Sequence, residues 1–318
     1  MDILKYEKMF RSKGFSNIVG IDEAGRGPLA GPVVAVALNW GDADIIDGIK
    51  DSKKISEKKR LVLFDKIVDN ALDIGIGIVH EHKIDEINIL QATYLAMRKA
   101  VGSLKNIPDL LLIDGNRADI HHIKQKNIIK GDSLSYTIAC ASIIAKVTRD
   151  LMMIQYSKIF PEYGFEKHKG YGTKLHIEMI KEKFSSPIHR KSFKPISNYL
   201  PQLKRFKENN KMRLLGFQIV ACHMIKNNFQ ILLFNDIYDI VVSKGNLLIL
   251  SSINTLIGKK TINSKIPLNG VNFDRKIKKS LVELNLGSFK RLRIDFVEIK
   301  FLKTGPEINI KKGKLYDI

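Results

Sequence analysis

Gly20-Ile21-Asp22-Glu23-Ala24-Gly25-Arg26-Gly27-Pro28-Leu29-Ala30-Gly31-Pro32 sets two adjacent carboxylates at the end of an apolar run. A glycine-rich turn carrying one arginine follows. A strand that delivers Asp22 and Glu23 into a cleft supplies oxygen ligands for a hard divalent cation. Gly25 and Gly27 lack a Cβ, so the backbone there can approach a ligand closely. Arg26 between them can fork onto a phosphate. Carboxylates, bare backbone and a guanidinium within six residues point to phosphodiester chemistry.

Working outward, residues 18–21 and 33–38 read as strands on either side of the turn, and residues 74–79 as a third. Gly75 and Gly77 in that third strand predict close packing against a neighbouring backbone. Ile87, Leu90, Tyr94, Met97 and Val101 recur at helical spacing. Residues 110–113 form a continuous apolar run of the kind buried on both faces, ending in Asp114. Residues 133–153 read as a helix, with Asp132 or Ser133 as its cap. Together these make an α/β domain.

The charged and glycine-bearing segments fall in a set. Asp51-Ser52-Lys53-Lys54, Ile84-Asp85-Glu86-Ile87-Asn88, Leu110-Leu111-Leu112-Ile113-Asp114-Gly115-Asn116 and Lys130-Gly131-Asp132-Ser133 come first. They are followed by Tyr163-Gly164-Phe165, His168-Lys169-Gly170-Tyr171-Gly172-Thr173 and His189-Arg190-Lys191-Ser192-Phe193. In this order and spacing, over residues 14 to 198, the chain resembles bacterial ribonuclease HII. The resemblance implies a ribonuclease H-like fold. It also implies a metal-dependent endonuclease cutting the RNA strand of RNA–DNA hybrids, and cutting 5′ of single ribonucleotides in duplex DNA. The four acids Asp22, Glu23, Asp114 and Asp132 match the family's catalytic and metal-binding set. The implied cofactors are two Mn²⁺ or Mg²⁺ ions, with no small-molecule cofactor. Two such ions about 3.5–4 Å apart activate the attacking water and stabilise the leaving oxygen. Neighbours on a regular strand face opposite ways, so Glu23 must join Asp22 by a local distortion or by the length of its side chain.

Discrimination of RNA from DNA rests on the 2′-hydroxyl. The backbone of Gly25-Arg26-Gly27 can hydrogen-bond it. The resemblance gives Tyr171, exposed between Gly170 and Gly172, the role of sensing the ribose–deoxyribose junction. Ser52, Lys53, Lys54, Lys146 and Lys169 are candidate phosphate contacts. A transposase-like nuclease and a silent nucleic-acid binder are the competing readings. The Gly-Arg-Gly turn and Tyr171 speak against the first, and the intact acids against the second.

The 318 residues are long for one domain, and hydrophobic content is 44%. The net charge is +20, and residues 201–318 carry 22 Lys and Arg against 9 Asp and Glu. This favours a polyanionic partner. Cys140 and Cys222 belong to no metal-binding spacing. Residues 1–15 carry charges throughout, unlike a signal peptide, and no apolar run reaches the roughly 18 residues of a membrane span. A cytoplasmic protein without membrane contact is expected.

The organisation expected is a catalytic domain over 1–203 and a smaller basic α/β domain over 204–318. In the latter, 217–221, 230–234, 237–242, 247–250 and 293–301 read as strands and 274–284 as a helix. Leu215 to Val220 and Asp239 to Leu250 weakly resemble the YraN-like family, which implies a restriction-endonuclease-like fold. Asp239 matches that family's aspartate, but Ser252 and Asn254 stand where it has Glu-x-Lys. The expected role is therefore nucleic-acid binding without cleavage; the alternative is a protein-interaction or structural appendage.

Overall fold

The computed structural model describes residues 2–41, 43–49, 55–115, 118, 120, 122–208, 211–233, 239–257, 260–262, 289–302 and 304–317. The chain divides into two compact units. The first takes 1–154 and 163–200, and the second takes 155–162 and 201–318.

The first unit contains, in order, α1 (Lys5–Arg11), β1 (Ile18–Ala24), β2 (Val33–Asn39), α2 (Glu57–Asn70), β3 (Asp73–Val79) and α3 (Glu81–Gly102). There follow β4 (Leu110–Asp114), β5 (Gln125–Ile128), α4 (Tyr136–Ile159, of which the part from Gln155 on is assigned to the second unit), α5 (Phe165–His168) and α6 (Lys174–Lys183). Its sheet runs β3-β2-β1-β4-β5. β3, β2 and β1 form an antiparallel meander, and β4 and β5 continue it in parallel. β2 is buried along its whole length because both sheet faces are covered. Val19, Ile21, Leu111 and Ile113 pack with Ala92, Ala96 and Ala100 of α3. On the other face Val36 and Leu38 meet Leu63 and Ile67 of α2 and Tyr136, Ala139 and Ile143 of α4.

The close packing expected at the β3 glycines is present. A Cβ on Gly77 would lie 1.9 Å from the carbonyl oxygen of Ala96, and one on Gly75 2.0 Å from that of Ala100. α3 itself is two helices joined at Asn88, whose side-chain oxygen caps the second by accepting from the N–H groups of Leu90 and Gln91. The cap of α4 falls on Ser135, not on Asp132 or Ser133, because residues 131–133 close a separate 3-10 turn. The buried Glu7 carboxylate of α1 reinforces it, accepting from Ser135 Oγ at 2.6 Å and from Thr137 N at 3.0 Å.

In the second unit α7 (Leu203–Glu208) and α8 (Met212–Lys226) precede β6 (Gln230–Leu233), β7 (Ile240–Lys244), β8 (Leu247–Ile257), β9 (Lys260–Ile262), β10 (Arg291–Leu302) and β11 (Gly305–Asp317). The sheet order is β11-β10-β8-β7-β6, with β9 on β8. β10 pairs parallel to β8, and the other neighbours are antiparallel. Residues 217–221, expected as a strand, lie inside α8. The run is apolar almost throughout, and periodicity does not separate such a segment from a buried helix; its length does. β11 was not foreseen. The expected helix over 274–284 lies outside the described residues. Among the described residues, no helix is long and apolar enough to cross a membrane.

Gly77→Ala should destabilise the first unit by about 1–3 kcal/mol, because α3 must retreat from the new methyl. Gly102→Ala, with nothing within 4 Å of the added Cβ, should not. Urea unfolding followed by the fluorescence of Trp40, the chain's single tryptophan, checks both.

Candidate active site

The pairing of β1 with parallel β4 ends at Ile21↔Ile113. Asp22 and Asp114 come next on the two strands, so they stand at one level and on one face, on strands about 4.8 Å apart. Asp114 Oδ1 accepts from Gly131 N at 2.6 Å, which docks the 131–133 turn against β4 and brings the buried Asp132 to the same end of the sheet. Asp22 Oδ1 accepts from Glu23 N at 2.7 Å, and Ser142 of α4 also bonds its carboxylate. Burial first, and then the charges of Glu23 and Asp114, push the Asp22 carboxyl well above the ordinary carboxylate range. The β1–β2 register stays regular through Ala24↔Val34, so no bulge turns Glu23 toward Asp22. Its charge is felt by virtue of side-chain length. Glu23 also pairs with Arg26 at 3.4 Å, which ties the acids to the turn.

A divalent cation suits these residues. Their donors are hard oxygens, and the crowding that raises the proton affinity of Asp22 is relieved by a positive ion. Among the described residues no three His, Cys, Asp or Glu side chains close around one point.

The turn after β1 is held from below. Gly25 has φ +100°, and a Cβ there would lie 2.2 Å from Arg149 Nε. Arg149 donates to the carbonyls of Ala30, Pro32 and Lys169, each at 3.0 Å. Arg190 donates to those of Gly25 (2.5 Å), Arg26 (2.9 Å) and Gly31 (3.0 Å). Both guanidiniums are fully buried. Burial lowers their proton affinity, to about 10 for Arg149 and about 9 for Arg190. Neither arginine was singled out from sequence. The signal for Arg149 was its place four residues after Ala145 and eight after Ala141 on the buried stripe of α4.

Tyr171 completes the group. Its Cε1 lies 3.8 Å from where a Gly27 Cβ would be, so the half-exposed ring sits over the turn. Lys146 Nζ is 5.8 Å from the ring centroid and bonds Asp150 at 2.7 Å. Lys169 is buried, its ammonium on the Glu166 carbonyl and 3.7 Å from Glu57. Ser52, Lys53 and Lys54 lie outside the described residues.

A histidine chain supports Tyr171 from behind. His189 Nδ1 accepts from Ser186 N at 2.9 Å, so its Nε2 carries the proton and donates to His176 Nε2 at 3.0 Å. His176 Nδ1 then donates to the Tyr171 carbonyl at 2.9 Å. The chain works only with neutral rings. Burial lowers His176 to about 4 and His189 well below its ordinary value.

Carboxylates at the ends of neighbouring strands, with a glycine turn beside them, fit a nuclease-type α/β site. The sequence comparisons identify which. The family model described as Ribonuclease HII matches residues 19–196. A ribonuclease HII of Endomicrobium trichonymphae is 52% identical over 205 residues, covering 64% of this chain and 97% of that protein. One from Clostridioides difficile is 56% identical over 188 residues, 59% of this chain and 74% of that one. The crystal structure of the ribonuclease H2 from Pyrococcus horikoshii is 27% identical, with a TM-score of 0.48, and covers 61% of this chain and all of that one. The chain belongs to the ribonuclease HII family. It is an endoribonuclease with a ribonuclease H-like domain. Residues after 196 lie outside the family match.

Neutral histidines make stability depend on pH. In the unfolded chain these rings protonate near their ordinary value of 6.5, whereas the folded His176 resists until about 4. Their contribution is therefore intact above about pH 6.5 and is lost as pH falls toward about 4, by on the order of 3 kcal/mol for His176. His176→Asn, which keeps a donor for the Tyr171 carbonyl, should flatten this decline. Urea midpoints at pH 7.5, 5.5 and 4.5 measure it.

Proposed function

We propose that this protein cuts the RNA strand of RNA–DNA hybrids and cuts 5′ of a single ribonucleotide in duplex DNA, leaving 3′-hydroxyl and 5′-phosphate ends. One observation carries this reading: Tyr171 lies over Gly27 in a turn that follows directly from the strand bearing Asp22 and Glu23. A ribose recognised there has its phosphate next to the acids.

Asp22, Glu23, Asp114 and Asp132 would hold Mg²⁺ or Mn²⁺, which supplies Lewis acidity and a water of lowered pKa. The protein's own part is positional. Asp114 fixes the 131–133 turn through Gly131, and Ser142 orients Asp22. The exposed N–H groups of the Gly25–Gly27 turn bind sugar or phosphate oxygens. The Tyr171 ring offers an apolar face to the sugar, and Lys146 beside it adds positive charge near the backbone.

We further propose that the second unit binds nucleic acid without cutting it. In support, Asp239 is occupied internally: it takes Arg213 Nη2 at 2.5 Å and the Ile253 N–H at 2.7 Å. Ser252 and Asn254 occupy β8 where the YraN-like pattern has its Glu-x-Lys. Glu298-Ile299-Lys300, which has that spelling, lies on β10.

With Mg²⁺ or Mn²⁺ the protein should cleave a duplex bearing one ribonucleotide and spare the all-DNA duplex. Asp114→Asn should slow turnover at least about a hundredfold, a barrier rise of roughly 2.7 kcal/mol, with duplex binding in Ca²⁺ retained. Near-normal turnover of this variant would remove Asp114 from the site. Equal cutting of all-DNA duplex would end the proposed specificity.

The second unit's role shows in salt dependence. Lys311 and Lys312 are exposed on β11. Replacing both by Glu should make the log K against log [salt] slope for duplex shallower by about 0.9 for each phosphate no longer neutralised. An unchanged slope would favour a protein-binding or stabilising role.

A further inference from the structure

Arg149 and Arg190 do something that a loop brace does not require. Each is a cation at 0% exposure, and among the described residues neither has a carboxylate at ion-pair distance, although Asp150 acts on Arg149, and Glu81 and Asp85 on Arg190, from farther away. Every bond their guanidiniums make ends on a backbone carbonyl, of the 25–32 turn or of Lys169. Removing such charges from water costs several kcal/mol apiece. Neutral donors would brace a loop without that cost.

The carbonyl pattern has a geometric consequence. In a trans peptide the C=O and the following N–H point in opposite directions. Arg190 draws the carbonyls of Gly25 and Arg26 inward. The N–H groups of Arg26 and Gly27 are thereby turned outward. Both residues are exposed, and no described residue accepts from either N–H. Two successive outward N–H groups form a small concavity for an oxygen acceptor. Two buried positive charges stand behind it, where weak screening lets their potential act. Arg149 joins this concavity to the Tyr171 loop through the Lys169 carbonyl, and its Cζ lies 5.8 Å from the Tyr171 ring.

We propose that Arg149 and Arg190 are positioning residues for ribonucleotide discrimination: they aim the Arg26 and Gly27 N–H groups at the 2′-hydroxyl oxygen and strengthen them by charge. This rests on the proposed ribonucleotide specificity and adds the residues that set it.

The test uses the full chain with Ca²⁺. Duplex affinity is measured by fluorescence anisotropy for a duplex with one ribonucleotide and for its all-deoxy counterpart. Single-turnover cleavage of the former is measured with Mg²⁺. Arg190→Gln and Arg149→Gln should reduce the ribo/deoxy affinity ratio at least tenfold, and Arg190→Lys, which keeps the charge, should restore part of it. A merely structural role would lower the unfolding midpoint and leave the ratio of the folded protein unchanged, which would overturn the proposal. Should the Gln variants fail to fold, ¹⁵N amide shifts of the unaltered protein decide. The Arg26 and Gly27 signals should move with the ribonucleotide duplex more than with the all-deoxy one, and equal movement would overturn the proposal. Equal affinity of the unaltered protein for both duplexes is a separate result, and it defeats the ribonucleotide-specificity reading itself.

Discussion

Two neighbouring parallel strands that stop at the same level force two carboxylates together, and this end of the first sheet is organised around that repulsion. Asp22 and Asp114 follow the last pair, Ile21↔Ile113, and cannot move apart without breaking the sheet. The cost appears as the raised proton affinity of Asp22. The surroundings offset it in pieces: a backbone N–H for each carboxylate, Ser142 from α4, and Arg26 on Glu23. What remains uncompensated is the reason for a dication, whose binding would convert the strain into affinity.

The sequence carried much of this in legible form. Residues 18–21, 33–38, 74–79 and 110–113 are short apolar runs bounded by Gly, Pro or Asp, so β1 to β4 could be read directly, whereas β5, polar apart from Ile128, could not. Asp22, Glu23 and Asp114 stand at strand ends that those runs define. Their convergence came mainly from the family resemblance, because physically it depends on the β1–β4 register, a pairing of residues far apart in the chain. The buried arginines were hidden for another reason. A charged residue reads by default as a solvated one. Arg149 is the exception that the apolar stripe of α4 marks, and Arg190 has no such stripe. The family's His-Arg-Lys-Ser-Phe segment flagged its neighbourhood without giving its role.

The second unit was harder for physical reasons. α8 is apolar on nearly every side, so its hydrophobic period is weak and part of it reads as a strand. β11 fails in the opposite way. Gly305–Asp317 is rich in Lys and Gly and poor in β-branched residues. It forms a strand because β10 offers it a long edge, and its lysines suit an edge that must not recruit another chain.

The first unit also separates charge by sign with unusual thoroughness. Carboxylates gather at the strand ends. Behind the adjoining turn lie two guanidiniums whose hydrogen bonds end on carbonyls, and next to Tyr171 lies a histidine chain that must stay neutral. A proton on His176 would break the acceptor it presents to His189. The tautomers leave no freedom here: Ser186 N–H fixes His189, His189 fixes His176, and His176 fixes the Tyr171 carbonyl. Tyr171 is thereby held by neutral donors that carry no net charge. The turn beneath it is held by cations that do. Under the proposed reading, a substrate oxygen approaching between them meets positive potential from the turn and from Lys146 beside the ring, which helps to orient a sugar–phosphate backbone toward the acids.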